Sequence, residues 1–159
     1  SAASDVYKRQ LCRNVIDMVE KIKQTQAEVR FSTSLSSLKL TTDSARLQQV
    51  LINLLINATK FTAQGTITLE LVKQTEDTAL FSVSDTGCGI SKENQNKIFN
   101  RFEKLDENAQ GTGLGLSICQ LIIEQLGGKI WIDPDYDKGA RFLFTHPICH
   151  AQIKKEETR

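Results

Sequence analysis

The sequence predicts an α/β (α+β) two-layer sandwich, with a mixed, mostly antiparallel sheet of about five strands against about three helices. Two observations carry this. Segments with helical apolar spacing are interleaved with segments of period two. Successive strand segments, Thr66 to Val72 with Thr78 to Asp85, and Lys129 to Ile132 with Arg141 to Thr145, are joined by turns, which implies antiparallel hairpins. That places the helices on one face and argues against a doubly wound parallel sheet.

The elements follow in order. Residues 1–10 show no clear amphipathic period and are set apart as a non-native or disordered leader. From Leu11, the residues Val15, Met18, Val19 and Ile22 recur at helical spacing, and this helix is expected to end near Gln26. Val29, Phe31, Leu38 and Leu40 mark short strands around a Ser/Thr-rich connection. Asp43 is the expected N-cap of a helix ending near Thr62, with Gly65 just beyond. The two strands of the first hairpin turn at Glu76-Asp77, and a short helix starts near Ser91. A polar, glycine-containing loop spans 103–113, and a helix from Leu114 to Leu126 stops at Gly127-Gly128. The second hairpin closes a domain assigned to 11–150, and 151–159 is a charged tail.

Composition narrows the class. Of 159 residues, 40% are hydrophobic and 25% charged, so a folded core is expected. The formal net charge of +1 gives no electrostatic lure for nucleic acid or an anionic membrane. No apolar run is long enough to cross a bilayer. Four cysteines, Cys12, Cys88, Cys119 and Cys149, form no C-x-x-C pair, which fits small apolar residues in a reducing, cytoplasmic setting.

Three constellations carry chemistry. In the helix from Asp43 to Thr62, the residues Leu47, Val50, Leu51, Leu54, Leu55 and Ala58 form one apolar face. Beside it Asn53, Asn57 and Lys60 fall on one narrow stripe, bordered on its far side by Ile52 and Ile56. The stripe reads equally as an interior polar seam satisfied by backbone or as a pocket wall. In the second reading an amide oxygen suits Mg²⁺ and the lysine suits phosphates. Next, Asp85 continues the inward parity of Ala79, Phe81 and Val83, so a carboxylate is carried toward the core at a strand end. It can close an Asx turn in Asp85-Thr86-Gly87-Cys88-Gly89-Ile90, or accept from an exocyclic amine such as the N6 of adenine. Finally, Gly111-Thr112-Gly113-Leu114-Gly115-Leu116 opens a helix, where free N–H groups favour an anion. It matches neither a dinucleotide fingerprint nor a Walker A loop.

In this order the constellations, with the pair Phe99 and Phe102 between them, resemble the ATP-binding catalytic domain of two-component histidine kinases. Those domains have the GHKL, or Bergerat, fold. The N box is residues 53–62, the G1 box 85–90, the F box 98–102 and the G2 box 111–116. The resemblance implies that Asn57 coordinates Mg²⁺ bridging the ATP phosphates, with Asn53 lining the same site. It implies that Lys60 contacts phosphates, Phe61 packs beside the nucleotide, and Asp85 binds the adenine amine in a pocket shaped by Gly87, Gly89 and Ile90. Phe99 and Phe102 would anchor a lid. Gly111, Thr112, Gly113, Leu114, Gly115 and Leu116 would form its far hinge and offer N–H groups. Arg101 and Lys104 stand equally as γ-phosphate partners or as a solvated basic face. Relatives that hydrolyse ATP carry a glutamate where Asn53 stands, and an amide is no general base. Phosphoryl transfer is therefore expected over hydrolysis, with a non-catalytic nucleotide-binding module, or a gyrase-like clamp, as the alternatives.

The implied partners are ATP or ADP, a dimerisation and histidine-phosphotransfer domain and, indirectly, a receiver domain; nucleic acid and direct membrane contact are not expected. The phosphoacceptor histidine would lie upstream of Leu11. His146, beside Pro147, is assigned a surface or edge role. The series Asp133, Asp135, Asp137, Gly139 is read as a hairpin turn, since its glycine is misplaced for a calcium loop.

Overall fold

The computed structural model describes residues 4–36, 38–100 and 115–148, the side chains of 4–7 excepted. Eleven elements are described among them: β1 (Ser4–Tyr7), α1 (Lys8–Ile22), β2 (Glu28–Thr33), β3 (Lys39–Thr42), α2 (Ser44–Phe61), β4 (Thr66–Thr75), β5 (Thr78–Asp85), α3 (Lys92–Gln95), α4 (Gly115–Gln125), β6 (Ile130–Ile132) and β7 (Arg141–Pro147). Five strands form one sheet in the order β2-β4-β5-β7-β6. The pair β2–β4 is parallel, and the three other pairs are antiparallel. The expected mixed two-layer sandwich is what is found.

Period-two burial builds the inner face. Ile67, Leu69 and Leu71 on β4, Ala79, Phe81 and Val83 on β5, and Phe142 and Phe144 on β7 are buried in one cluster with residues of α1, α2 and α4. Phe81 and Phe144 stack with centroids 4.7 Å apart, an arrangement worth about 1 kcal/mol beyond their burial. Helix α2 begins as expected: the Asp43 carboxylate accepts from the Arg46 N–H at 3.2 Å. Ser91 caps α3 in the same way, accepting from the Asn94 N–H at 3.3 Å.

Three expectations need correction. The stretch set apart as a leader contributes structure: Ser4–Tyr7 pairs with β3 in a separate two-stranded ribbon, and α1 begins at Lys8 rather than Leu11. Four residues of strand are too few to print a period on the sequence, and their pairing partner is distant. Helix α1 ends at Ile22, short of Gln26. Beyond it Thr25 turns to donate to the carbonyls of Thr62 and Ala63, the latter at 2.9 Å, so tertiary bonds replace the last helical turn. Third, His146 is buried at 2% exposure, not at the surface. It continues the inward alternation of Phe142 and Phe144. Its Nδ1–H donates to the Pro147 carbonyl at 2.8 Å, and its Nε2 accepts from the Thr42 hydroxyl at 2.9 Å. Burial and, to a lesser degree, the nearby Lys8 hold the imidazole below its ordinary value. Domain limits beyond Ile148, including the tail, lie outside the described residues.

Candidate nucleotide site

The site is built where α2 ends against the loop that leaves β5. The Cys88 N–H donates to the Phe61 carbonyl at 3.2 Å. Gly87 packs so closely there that a Cβ would lie 2.1 Å from the Phe61 oxygen and 2.6 Å from the Thr62 hydroxyl. Only glycine lets the two main chains meet at this distance. The contact locks the G1 loop onto the last turn of the helix that carries the asparagines. Asn57 and Asn53 stand one and two turns back, about 6 and 12 Å along the axis.

Asp85 is 4% exposed. Both readings of it bear on what is found. Its Oδ1 accepts from the Gly87 N–H at 2.9 Å, which is the Asx turn, and from the Ala140 N–H at 3.2 Å. Both of its side-chain hydrogen bonds among the described residues fall on Oδ1. The loop itself is tied down by Thr86, whose hydroxyl accepts from the Thr66 N–H at 3.0 Å.

Along α2, Asn53 and Asn57 are half-buried, Phe61 is half-buried and Lys60 is exposed. The bordering Ile52 and Ile56 are half-buried and packed against the core. The thiol of Cys119 on α4 donates to the Val50 carbonyl of α2 at 3.9 Å, and burial pushes it up to about 12, with neighbouring Asn53 a smaller opposing influence. Asn57 lies one turn nearer the G1 loop than Asn53. Gly89 takes the left-handed region at φ 74°, and Ile90 behind it is half-buried. Phe99 is half-buried and meets Phe142 edge-on, with centroids 6.2 Å apart. Gly115 and Leu116 begin α4. Arg101, Phe102, Lys104, Gly111, Thr112, Gly113 and Leu114 lie outside the described residues.

The sequence reading missed the far wall of the Asp85 environment. Ala140 supplies a backbone N–H, and Tyr136 donates its hydroxyl to the Asp85 carbonyl at 3.1 Å. Both come from the β6–β7 connection, whose Asp-rich series gave no signal beyond a turn. A turn is what it forms: Asp133 Oδ1 accepts from the Asp135 N–H at 3.0 Å, and its Oδ2 pairs with Arg141 at 3.6 Å.

An α/β sandwich with a polar amide stripe joined end-on to a buried carboxylate defines an ATP-binding domain of the kind the motifs implied. Residues 42–149 match the family described as histidine kinase-, DNA gyrase B-, and HSP90-like ATPase. The chain belongs to this family, and within it stands with the ATP-binding catalytic domains of sensor histidine kinases. It is 41% identical over 123 residues to the adaptive-response sensory kinase SasA of Synechococcus sp. (strain CC9311), a match covering 75% of this chain and 32% of that protein. The full-length kinase ShkA in complex with AMPPNP superposes with a TM-score of 0.84 at 29% identity, covering 92% of this chain and 31% of that one. The histidine kinase ThkA in complex with the response regulator protein TrrA gives 0.77 at 33% identity, covering 92% and 42%. The chain therefore spans about a third of the length of the SasA relative. Among the described residues no helix is long and apolar enough to cross a membrane.

Proposed function

We propose that this domain binds Mg-ATP and donates the γ-phosphoryl group to a histidine on a dimerisation and phosphotransfer domain, from which a receiver domain would then draw it. One observation carries the reading. The Asp85 loop is locked to the end of α2 through Gly87 and Cys88, so a base acceptor stands beyond the end of the helix that carries the amide-and-lysine stripe. That layout suits an adenosine at the Asp85 end with its phosphates running along α2.

The roles follow from chemistry. Asp85 Oδ2 accepts from the adenine amine, which a guanine carbonyl at the same position cannot offer. The half-buried Asn57 presents a hard amide oxygen beside Lys60, a donor set that fits Mg²⁺ held mainly by phosphates and water. When bound, that ion neutralises the phosphate charge. Asn53 lines the same stripe, Lys60 offsets phosphate charge from the rim, and Phe61 packs beside the nucleotide. Gly87, Gly89 and Ile90 shape the base end, while Phe99, with Phe102, anchors a lid over the phosphates. Arg101 and Lys104 are candidate partners of the γ-phosphate, the alternative for both being a solvated basic face, and the N–H groups of 111–116 are candidate phosphate donors at the far hinge. In transfer, the bond from the γ-phosphorus to the β-bridging oxygen breaks and a phosphorus–nitrogen bond to the imidazole forms. ADP departs and the imidazole loses its N–H proton to solvent. The protein's part is positioning and charge stabilisation. With an amide at position 53, no carboxylate stands there to activate water, which supports transfer over hydrolysis.

Calorimetry with a non-hydrolysable ATP analogue tests the binding half. Wild-type chain should prefer it over the guanine analogue, and Asp85→Asn should weaken it by about 10- to 100-fold, the loss expected for one charged hydrogen bond. Joining the chain to a cognate dimerisation domain should yield acid-labile phosphate. Rapid steady-state hydrolysis, with no phosphohistidine, would instead favour the clamp-type ATPase.

A further inference from the structure

The polar atoms of Asp85 are held from three sides. Its N–H donates to the Ala140 carbonyl at 2.9 Å, and its carbonyl accepts from the Tyr136 hydroxyl. Oδ1 is filled by two backbone N–H groups. The β6–β7 connection comes so close that a Cβ on Gly139 would lie 2.1 Å from the Asp85 carbonyl oxygen and 2.6 Å from Oδ1. Tyr136 is itself fixed. The Arg141 guanidinium carbon lies 4.2 Å from its ring centroid. Arg141 in turn donates from Nε to the Ser84 hydroxyl at 2.9 Å and pairs with Asp133. Ser84 immediately precedes Asp85, so the chain of contacts returns to the same strand end.

We propose that Tyr136 is a positioning residue of the nucleobase site: through its hydroxyl and its pinned ring it holds the end of β5, so that Asp85 presents one fixed acceptor and selects for an exocyclic amine. This rests on the reading of Asp85 as the adenine acceptor. A carboxylate whose backbone can shift would find other donors, and its preference for an amine at one place would fall. Burial raises the phenol above its ordinary value, so the hydroxyl stays a donor throughout the working pH range.

The test compares the β,γ-imido triphosphates of adenosine and of purine riboside, which lacks only the 6-amine. Calorimetry is run on wild type, Tyr136→Phe and Arg141→Gln, with thermal melting alongside. Wild type should prefer the adenosine compound. Tyr136→Phe should weaken that compound about fivefold, the loss of one neutral hydrogen bond. It should leave the purine riboside compound nearly unchanged, so that the ratio narrows. Arg141→Gln should narrow the ratio in the same direction, and it keeps the test open should the Phe variant fail to fold. Equal weakening of both compounds, or of neither, overturns the role of Tyr136 while leaving Asp85 as the acceptor. No preference in wild type overturns both.

Discussion

Gly87→Ala is the sharpest test of how the site is assembled. A Cβ there would lie 2.1 Å from the Phe61 carbonyl oxygen, 2.6 Å from the Thr62 hydroxyl and 2.8 Å from the Phe61 carbonyl carbon. Real side chains keep such atoms at least 3.0 Å away, so 0.9 Å must be found against main chain. Overpacking of this kind costs about 1–3 kcal/mol. Moving the loop also weakens the Cys88 N–H bond to the Phe61 carbonyl, about 1 kcal/mol more. The expected loss is therefore about 3 kcal/mol, a large part of the roughly 5–15 kcal/mol that holds a domain of this size together. Urea unfolding followed by far-UV circular dichroism reads it directly. The same shift separates Asp85 from the asparagine helix, so the surviving folded fraction should bind an ATP analogue at least about tenfold more weakly. Gly115→Ala is the control, since a Cβ there meets nothing within 4 Å. It should be neutral or slightly stabilising, by up to about 1 kcal/mol. A Gly87→Ala variant within about 0.5 kcal/mol of wild type would refute the claim that this contact locks the two motifs together.

Two further outcomes are expected. His146 is held neutral by burial, below its unfolded value of about 6.5. The unfolded chain then binds the extra proton first, so the contribution of His146 to stability is full above about pH 6.5 and is lost as pH falls below it. Urea midpoints at pH 7.5, 6.5 and 5.5 should fall in that order, and His146→Gln should flatten the slope. The thiols of Cys12 and Cys119 are both pushed up to about 12 by burial, while Cys88 is exposed. In a Cys149→Ser background a disulfide reagent should therefore find one fast thiol, protected by bound nucleotide, and two that react only on unfolding. Three fast thiols would contradict the burial.

Much of the molecule was legible because its signals are local. The Asp43 cap, the alternation of β5 and the amphipathic run of α2 each involve residues within a few positions of one another. The stripe of Asn53, Asn57 and Lys60 needed only the helical repeat. Asp85 could be placed facing inward by parity, but not assigned a partner. From the residues alone the Asx turn was the favoured reading over a ligand, and the fold shows that turn formed on Oδ1. His146 was misjudged because its neighbour Pro147 looked like an edge signal, although the alternation from Phe142 already pointed inward.

Residue types and their spacing specify a repertoire: which side chains could meet a nucleotide, in what order, and on which kind of element. Residue type and short spacing are enough for that, since a cap, a helical stripe or a glycine turn is decided within one or two turns of chain. The tertiary structure decided which of those groups share a site and what is left of each when folding has taken its hydrogen bonds. Tyr136 reaches Asp85 across 51 residues, and His146 reaches Thr42 across 104. Contacts at that separation leave no period and no motif in a single sequence, because closing the sheet, and not any local preference, brings them together.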